Sequence, residues 1–235
     1  MLAATAVPQA ASDPPADAAD RLYANRETLA DAERAASIWE RALAARADDF
    51  DAARKLARAS YWLGEHRQGA DAREAAFARG MTAAERAIAI RSNQPDGYFW
   101  LAANMGGLAE LKGLRAGIKY RKPVRDNLEK VLAMDPAFLK GSADRALGRW
   151  YYKVPGFFGG SKTRSVQHLR ASIAHHPQSI SSRYFLAETF ESMNRDADAI
   201  ATLKEIEALI VDPEWAPEDR EFKQKARALL SRLTR

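Results

Sequence analysis

The chain has 235 residues, 47% of them hydrophobic, and a formal net charge of +5. It contains no cysteine, which excludes a disulfide framework, thiolate metal sites, a cysteine nucleophile and a lipid carried on a cysteine. No window approaches the roughly 18 apolar residues of a membrane span, and the apolar content suits a folded helical protein over a disordered one.

Small residues, Ala4-Thr5-Ala6, and a Pro-rich spacer open the chain. They read equally as what surrounds a signal-peptide cleavage site and as a disordered tail. Residues 1–15 are therefore set apart from a folded part spanning 16–235.

From there a leucine followed by a small residue recurs inside helix-like stretches, at Leu56-Ala57, Leu101-Ala102, Leu147-Gly148 and Leu186-Ala187. This is the signature of a tetratricopeptide-like helical-hairpin repeat. In the first unit Leu22 fits the first helix and Ala35, Trp39 and Ala42 the second. The second unit holds Leu56-Ala57, then Ala83, Ala87 and Ile90, ending at Pro95. The third has Tyr98, Leu101-Ala102 and Met105, then Val124, Leu128 and Val131, ending at Pro136. In the fourth come Leu147-Gly148 and Tyr151, then Ser165, Leu169 and Ser172, ending at Pro177. The fifth carries Leu186-Ala187 and Phe190, then Ala199, Leu203 and Ile206, ending near Pro213. A last helix, Pro217 to Leu233, puts Phe222, Ala226, Leu229 and Leu230 on one face and charges on the other, as a solenoid cap requires. The fold expected is thus all-α: about five irregular hairpins and a C-terminal capping helix.

The spacing is uneven. Leu22 and Leu56 lie 34 residues apart, the standard period, whereas Leu56 to Leu101 is 45, Leu101 to Leu147 is 46 and Leu147 to Leu186 is 39. The extra residues fall between the first and second helix of a unit, at Gly64 to Gly80, Gly106 to Pro123 and Pro155 to Ser161. Insertions on one side of a solenoid build a functional face there; the alternative is longer helices with no special role.

Two unit-opening helices share a pattern: Arg54, Arg58, Tyr61 and Trp62 in the second unit, Arg145, Arg149, Tyr152 and Lys153 in the fourth. Arginines four apart share a helix face, with the aromatics one turn further on. Phe99 and Tyr184 hold the corresponding place in the third and fifth units. In the repeat frame all of these line the concave surface, and guanidinium groups beside rings suit a carboxylate, a phosphate or an acidic peptide. The alternative is that the arginines pair with acids of adjacent helices and the rings are core.

The segment Pro155-Gly156-Phe157-Phe158-Gly159-Gly160-Ser161 is the most unusual stretch. Its paired glycines suit a tight turn with positive φ, or backbone N–H groups offered to an anion; the P-loop frame is absent. His168 and His175 share a helix face about 10 Å apart, too far for one metal; His176 closes that helix and His66 falls in a turn. No catalytic motif, metal site or cofactor-binding site is expected. Basic side chains outnumber acidic ones from Glu110 to Arg170, a band that reads either as a docking surface for an anionic partner or as a solvated face. With no nucleic-acid motif beside it, nucleic acid is not the expected partner.

Four stretches then carry a family likeness: FWLAANMG at Phe99 to Gly106, the loop at Pro155 to Ser161, YFLAET at Tyr184 to Thr189 and WAPEDREFKQKA at Trp215 to Ala226. From about Asp20 onward the chain resembles the T-component (TatT-like) proteins associated with tripartite TRAP transporters. That resemblance implies an all-helical, periplasmic or cell-envelope protein, a trimer, which docks a periplasmic solute-binding protein. It also implies a channel admitting an apolar ligand, and no catalytic residues; an anionic organic ligand is the expectation of the arginine–aromatic groove instead. Members commonly carry a lipid on a cysteine, which this chain lacks. A weaker likeness, carried by Leu-Gly-Arg-Trp at Leu147 to Trp150, is to the eukaryotic regulators of microtubule dynamics. It keeps open a plain scaffold role, with a cytoplasmic location as the alternative. The expected function is that of a non-enzymatic adaptor, either TRAP-associated or a general scaffold taking an acidic peptide in the arginine–aromatic groove.

Overall fold

The computed structural model describes residues 16–235, so the tail expected at 1–15 lies outside the described residues. Eleven α-helices follow one another there: α1 Ala16–Ala24, α2 Leu29–Ala45, α3 Phe50–His66, α4 Ala70–Ile90, α5 Pro95–Lys112, α6 Leu114–Met134, α7 Phe138–Lys153, α8 Lys162–His175, α9 Ile180–Glu191, α10 Asp196–Ala208 and α11 Ala216–Leu233. Short 3₁₀ turns at Gly156–Phe158 and Pro213–Trp215 precede α8 and α11. Consecutive helices pack as the hairpins α1–α2, α3–α4, α5–α6, α7–α8 and α9–α10, with α11 against α9 and α10. This is the five-hairpin solenoid with a cap that the repeat pattern predicts.

Local chemistry sets the boundaries. Asp49, Ser161 and Ser179 each accept a hydrogen bond from a backbone N–H of the first turn of α3, α8 and α9. Pro95 opens α5, where its missing N–H costs nothing. The small partners of the repeated leucines, Ala57, Ala102 and Ala187, are buried, and at Gly148 an added Cβ would meet the Leu169 side chain at 2.5 Å. Small residues let helix backbones approach while bulky neighbours fill the groove. Phe77 of α4 shows the same logic across units: it is fully buried between Gly64 and Gly107, where an added Cβ would stand 2.4 and 2.3 Å from its ring.

The core runs as one cluster from α1 to α7 and a second from α8 to α11. At the start of the second, small polar residues replace alanine: Ser165 bonds Thr189 at 3.0 Å and Ser172 bonds Ser182 at 2.9 Å, all fully buried.

Two of the three insertions are helix and not loop. Only Arg67 to Gly69 separates α3 from α4, and only Gly113 separates α5 from α6, so the added residues lengthen α4 and α6 to 21 residues each. Ala-rich stretches such as Ala70 to Ala78 propagate helix. His66 accordingly closes α3 and does not lie in a turn. The third insertion, Pro155 to Ser161, is a loop.

Candidate functional site

The first helices α3, α5, α7 and α9 line the inner face of the superhelix, and α11 comes round to face them. Between them lies a cavity of about 830 Å³. Its wall closes where the C-terminal segment meets the first unit. Arg26, only 2% exposed, donates from Nε to Glu218 at 3.0 Å and from Nη2 to the Glu214 carbonyl at 3.0 Å, and forks onto the second Glu218 oxygen. Its guanidinium lies 5.0 Å from the Tyr23 ring and 5.3 Å from that of Trp62. Glu27 pairs with Arg220 beside it. His66 stacks on Trp62 at 3.6 Å and faces Glu221 at 3.4 Å. Desolvation is the largest single influence on His66 and opposes its charge, but the bonds to Glu221 and to the Trp62 carbonyl, with the Glu221 and Glu65 charges, together outweigh it and the imidazole pKa rises; the Glu221 bond, helped by Lys225, also holds Glu221 down at about 2.

The structure brings seven of the ten expected groove residues to this cavity: Tyr61, Trp62, Phe99, Arg145, Arg149, Lys153 and Tyr184. Arg54, Arg58 and Tyr152 do not line it. Arg54 is held at the start of α3 by Asp51 at 2.7 Å and Asp96 at 3.8 Å. Arg58 lies under the wall between the Tyr23 and Trp215 rings, 4.0 Å from Glu214. Tyr152 stacks outside, under Arg149 and Lys162.

Most cations of the wall are already matched. Arg149 bonds Glu188 at 2.7 Å, and Lys153 sits 3.3 Å from Glu110. The Tyr184 hydroxyl donates to Glu188 at 3.2 Å; its own burial and that carboxylate push its pKa to about 12. Three of the four pattern arginines thus have acids from their own or neighbouring elements. Arg145 differs. Its Nη2 donates to Ser142 Oγ at 2.7 Å, its guanidinium faces the Trp215 ring at 6.0 Å, and no carboxylate stands in ion-pair range. Burial lowers its pKa from the ordinary arginine value, with Tyr61 the leading opposing influence. Across the cavity Glu65 is raised above the ordinary glutamate range, first by desolvation from the protein around it and then by Glu110.

Sequence reasoning missed the parts that the chain ends supply: Tyr23, Trp215, Glu218, Glu221 and Lys225 all face the cavity. It also missed the backbone that aims Arg145. Leu139, Lys140 and Gly141 are left-handed (φ 44°, 59° and 75°), a costly run for two residues with side chains. It kinks α7 sharply just after its start and puts Ser142 one helical turn before Arg145.

In the loop, Pro155 and Phe158 reach the cavity rim, whereas Gly156, Phe157, Gly159, Gly160 and Ser161 do not. The glycines make a turn. Gly159 has φ +102°, and a Cβ on Gly160 would fall 1.6 Å from the Val154 carbonyl oxygen. The N–H groups of Gly159, Gly160 and Ser161 already donate to Gly156, Pro155 and Tyr151, so none is left to hold an anion. Among the described residues no group of His, Asp and Glu could hold a metal ion, and no helix is long and apolar enough to cross a membrane.

The sequence profile described as regulator of microtubule dynamics protein 1-3 matches residues 16–157. This is the family to which the Leu147 to Trp150 stretch is similar, and not the TRAP-associated one. Among solved structures the chain is similar to TTC0263, a thermophilic TPR protein of Thermus thermophilus. The identity is 18% and the TM-score 0.68, over 94% of this chain and 99% of that one. It is also similar to MamA, at 15% identity and a TM-score of 0.52, over 86% of this chain and 95% of that one. At such identities the likeness speaks for the tetratricopeptide-like fold alone. No curated protein matches the chain.

Proposed function

The chain belongs to the regulator of microtubule dynamics protein 1-3 family, and on that premise we propose that it is a non-enzymatic scaffold that takes an acidic peptide segment of a protein partner into its concave cavity. The observation that carries this is Arg145: a guanidinium in an aromatic-walled cavity, with a serine to orient it and no carboxylate of its own. A partner's carboxylate would supply the missing acceptor in the bidentate geometry that arginine favours. Tyr61, Trp100 and Trp215 would flank it. Titration of a fluorescent oligoglutamate peptide tests the proposal. Arg145→Gln should weaken binding about tenfold or more, since a charge-assisted bond contributes roughly 1.5–3 kcal/mol; equal affinity in wild type and variant would remove the idea.

A second reading rests on the apolar share of the same lining, which includes Phe99, Leu128 and Phe222. Here the protein is an envelope component that docks a periplasmic solute-binding protein, as a trimer, and holds an organic ligand. Native mass spectrometry with candidate solute-binding proteins separates the two: a monomer that binds none of them leaves the scaffold reading standing alone.

A further inference from the structure

At one rim of the cavity and just outside it stand apolar side chains that nothing covers. Leu114 is 73% exposed and Ile118 39%, four apart on the first two turns of α6; Phe157, at the tip of the 3₁₀ turn, is 83% exposed. The two tips adjoin. The Phe157 and Phe158 rings lie 4.2 Å apart, the Phe158 ring lies 4.9 Å from the Arg121 guanidinium, and Arg121 follows Ile118 by one turn. The region stands clear of the body, because a Cβ built on Gly113, Gly117 or Gly156 meets nothing within 4 Å.

The charge around these tips has one sign. Residues 111–125 hold Lys112, Arg115, Lys119, Arg121, Lys122 and Arg125 and no acid, and no acid occurs between Asp144 and Glu188 either. Lys112, Lys122 and Arg125 pair with Glu74, Asp126 and Glu129. Arg115, Lys119 and Arg121 have no acidic partner among the described residues. The α6 N-terminus adds its positive end, with no capping side chain and no acid in its first turn.

We propose that the Leu114–Ile118–Phe157 tip docks the protein onto an anionic phospholipid surface. Projecting leucine and phenylalanine side chains ringed by lysine and arginine match the acyl–headgroup boundary, where apolar groups bury and cations meet lipid phosphate. A protein partner would need a concave or flat complement. Here the apolar side chains stand on two separate projections with cations between them, which a deformable surface accommodates. Docked in this way, the cavity mouth lined by Leu114, Ile118 and Phe158 would face the bilayer.

Co-sedimentation of the full chain with phosphatidylcholine–phosphatidylglycerol vesicles, and with pure phosphatidylcholine vesicles, tests this. The mixed vesicles should be bound, the neutral ones much more weakly, and added salt should weaken binding. L114S/F157S should lose about tenfold or more in partitioning, through lost apolar burial. R115S/K119S should lose a similar factor, since each cation near such a surface contributes about 1 kcal/mol. All four side chains are at least partly exposed, so the melting temperature should not move and a loss cannot be assigned to unfolding. Failure of the wild type to bind the mixed vesicles, equal binding to neutral vesicles, or wild-type partitioning by L114S/F157S would overturn the proposal. The first of these would leave an acidic protein as the occupant of the tip.

Discussion

Arg26→Ala should open the superhelix. The side chain is 2% exposed and reaches from the turn between α1 and α2 to α11. Its removal takes away the fork onto Glu218, the bond to the Glu214 carbonyl and the two ring contacts with Tyr23 and Trp62. Breaking a buried ion pair by deleting one partner costs roughly 3–5 kcal/mol, because the other charge is stranded. Glu218 retains 22% exposure, so water can reach the stranded carboxylate and the lower end applies, about 3 kcal/mol. For a chain of this size that corresponds to a fall in melting temperature of about 6–12 °C. Replacing both partners by methionine should recover much of the loss, since a well-packed apolar pair can stand in for a buried ionic one. Geometry gives the more specific readout. The chain has no native cysteine, so spin labels at Ala24→Cys and Gln224→Cys, both exposed, report the separation of α1 and α11 directly. Arg26→Ala should lengthen and broaden that distance. An unchanged distance together with a melting temperature within about 1 °C of wild type would refute the claim that this contact closes the wall.

The His66–Glu221 contact makes closure pH-dependent. The His66 pKa is raised in the folded chain, so its contribution is complete below the ordinary 6.5 and is lost as pH rises through the folded value. Glu221 is lowered from 4.5 to about 2, so its contribution is complete above 4.5 and is lost as pH falls below it. Stability measured against pH should therefore peak at about pH 5–6 for this contact, and His66→Gln should flatten the alkaline limb. Phe77→Ala should cost about 3–5 kcal/mol in urea denaturation, whereas Gly107→Ala, which presses on the same ring, should cost about 1–3 kcal/mol by overpacking. Gly160→Ala should break the Ser161-to-Tyr151 backbone bond, seen as fast hydrogen exchange confined to the loop and the start of α8.

The hairpins were legible because their determinants are local. Leu-small pairs, prolines and capping serines and aspartates act within one or two turns, and buried Leu56, Leu147 and Leu203 lie where the offsets put them. The insertions were less legible: Gly80, inside α4, reads as a breaker, yet the space its missing Cβ leaves is filled by the fully buried Asn104 of α5. The cavity was half legible. The spacing of Arg145, Arg149 and Lys153 placed them on one inward face, but which arginine stays unmatched depends on acids brought by other helices. Arg149 is matched by Glu188 and Arg58 by Glu214, and no local pattern announces either. For the same reason the Arg26–Glu218 closure, 192 residues apart in sequence, left no trace in the periodicity.

Indole signals offer the most direct test of the groove as the binding surface. Of the five tryptophans, Trp62, Trp100, Trp150 and Trp215 line the cavity, while Trp39 is buried in α2 away from it. In a nitrogen–proton spectrum titrated with an oligoglutamate peptide, the Trp215 and Trp100 indole peaks should move as the peptide saturates, with Trp39 fixed. In Arg145→Gln those shifts should require about tenfold more peptide. Binding that leaves all four cavity indoles unmoved, or that moves Trp39 alone, would place the acidic partner elsewhere and contradict the account.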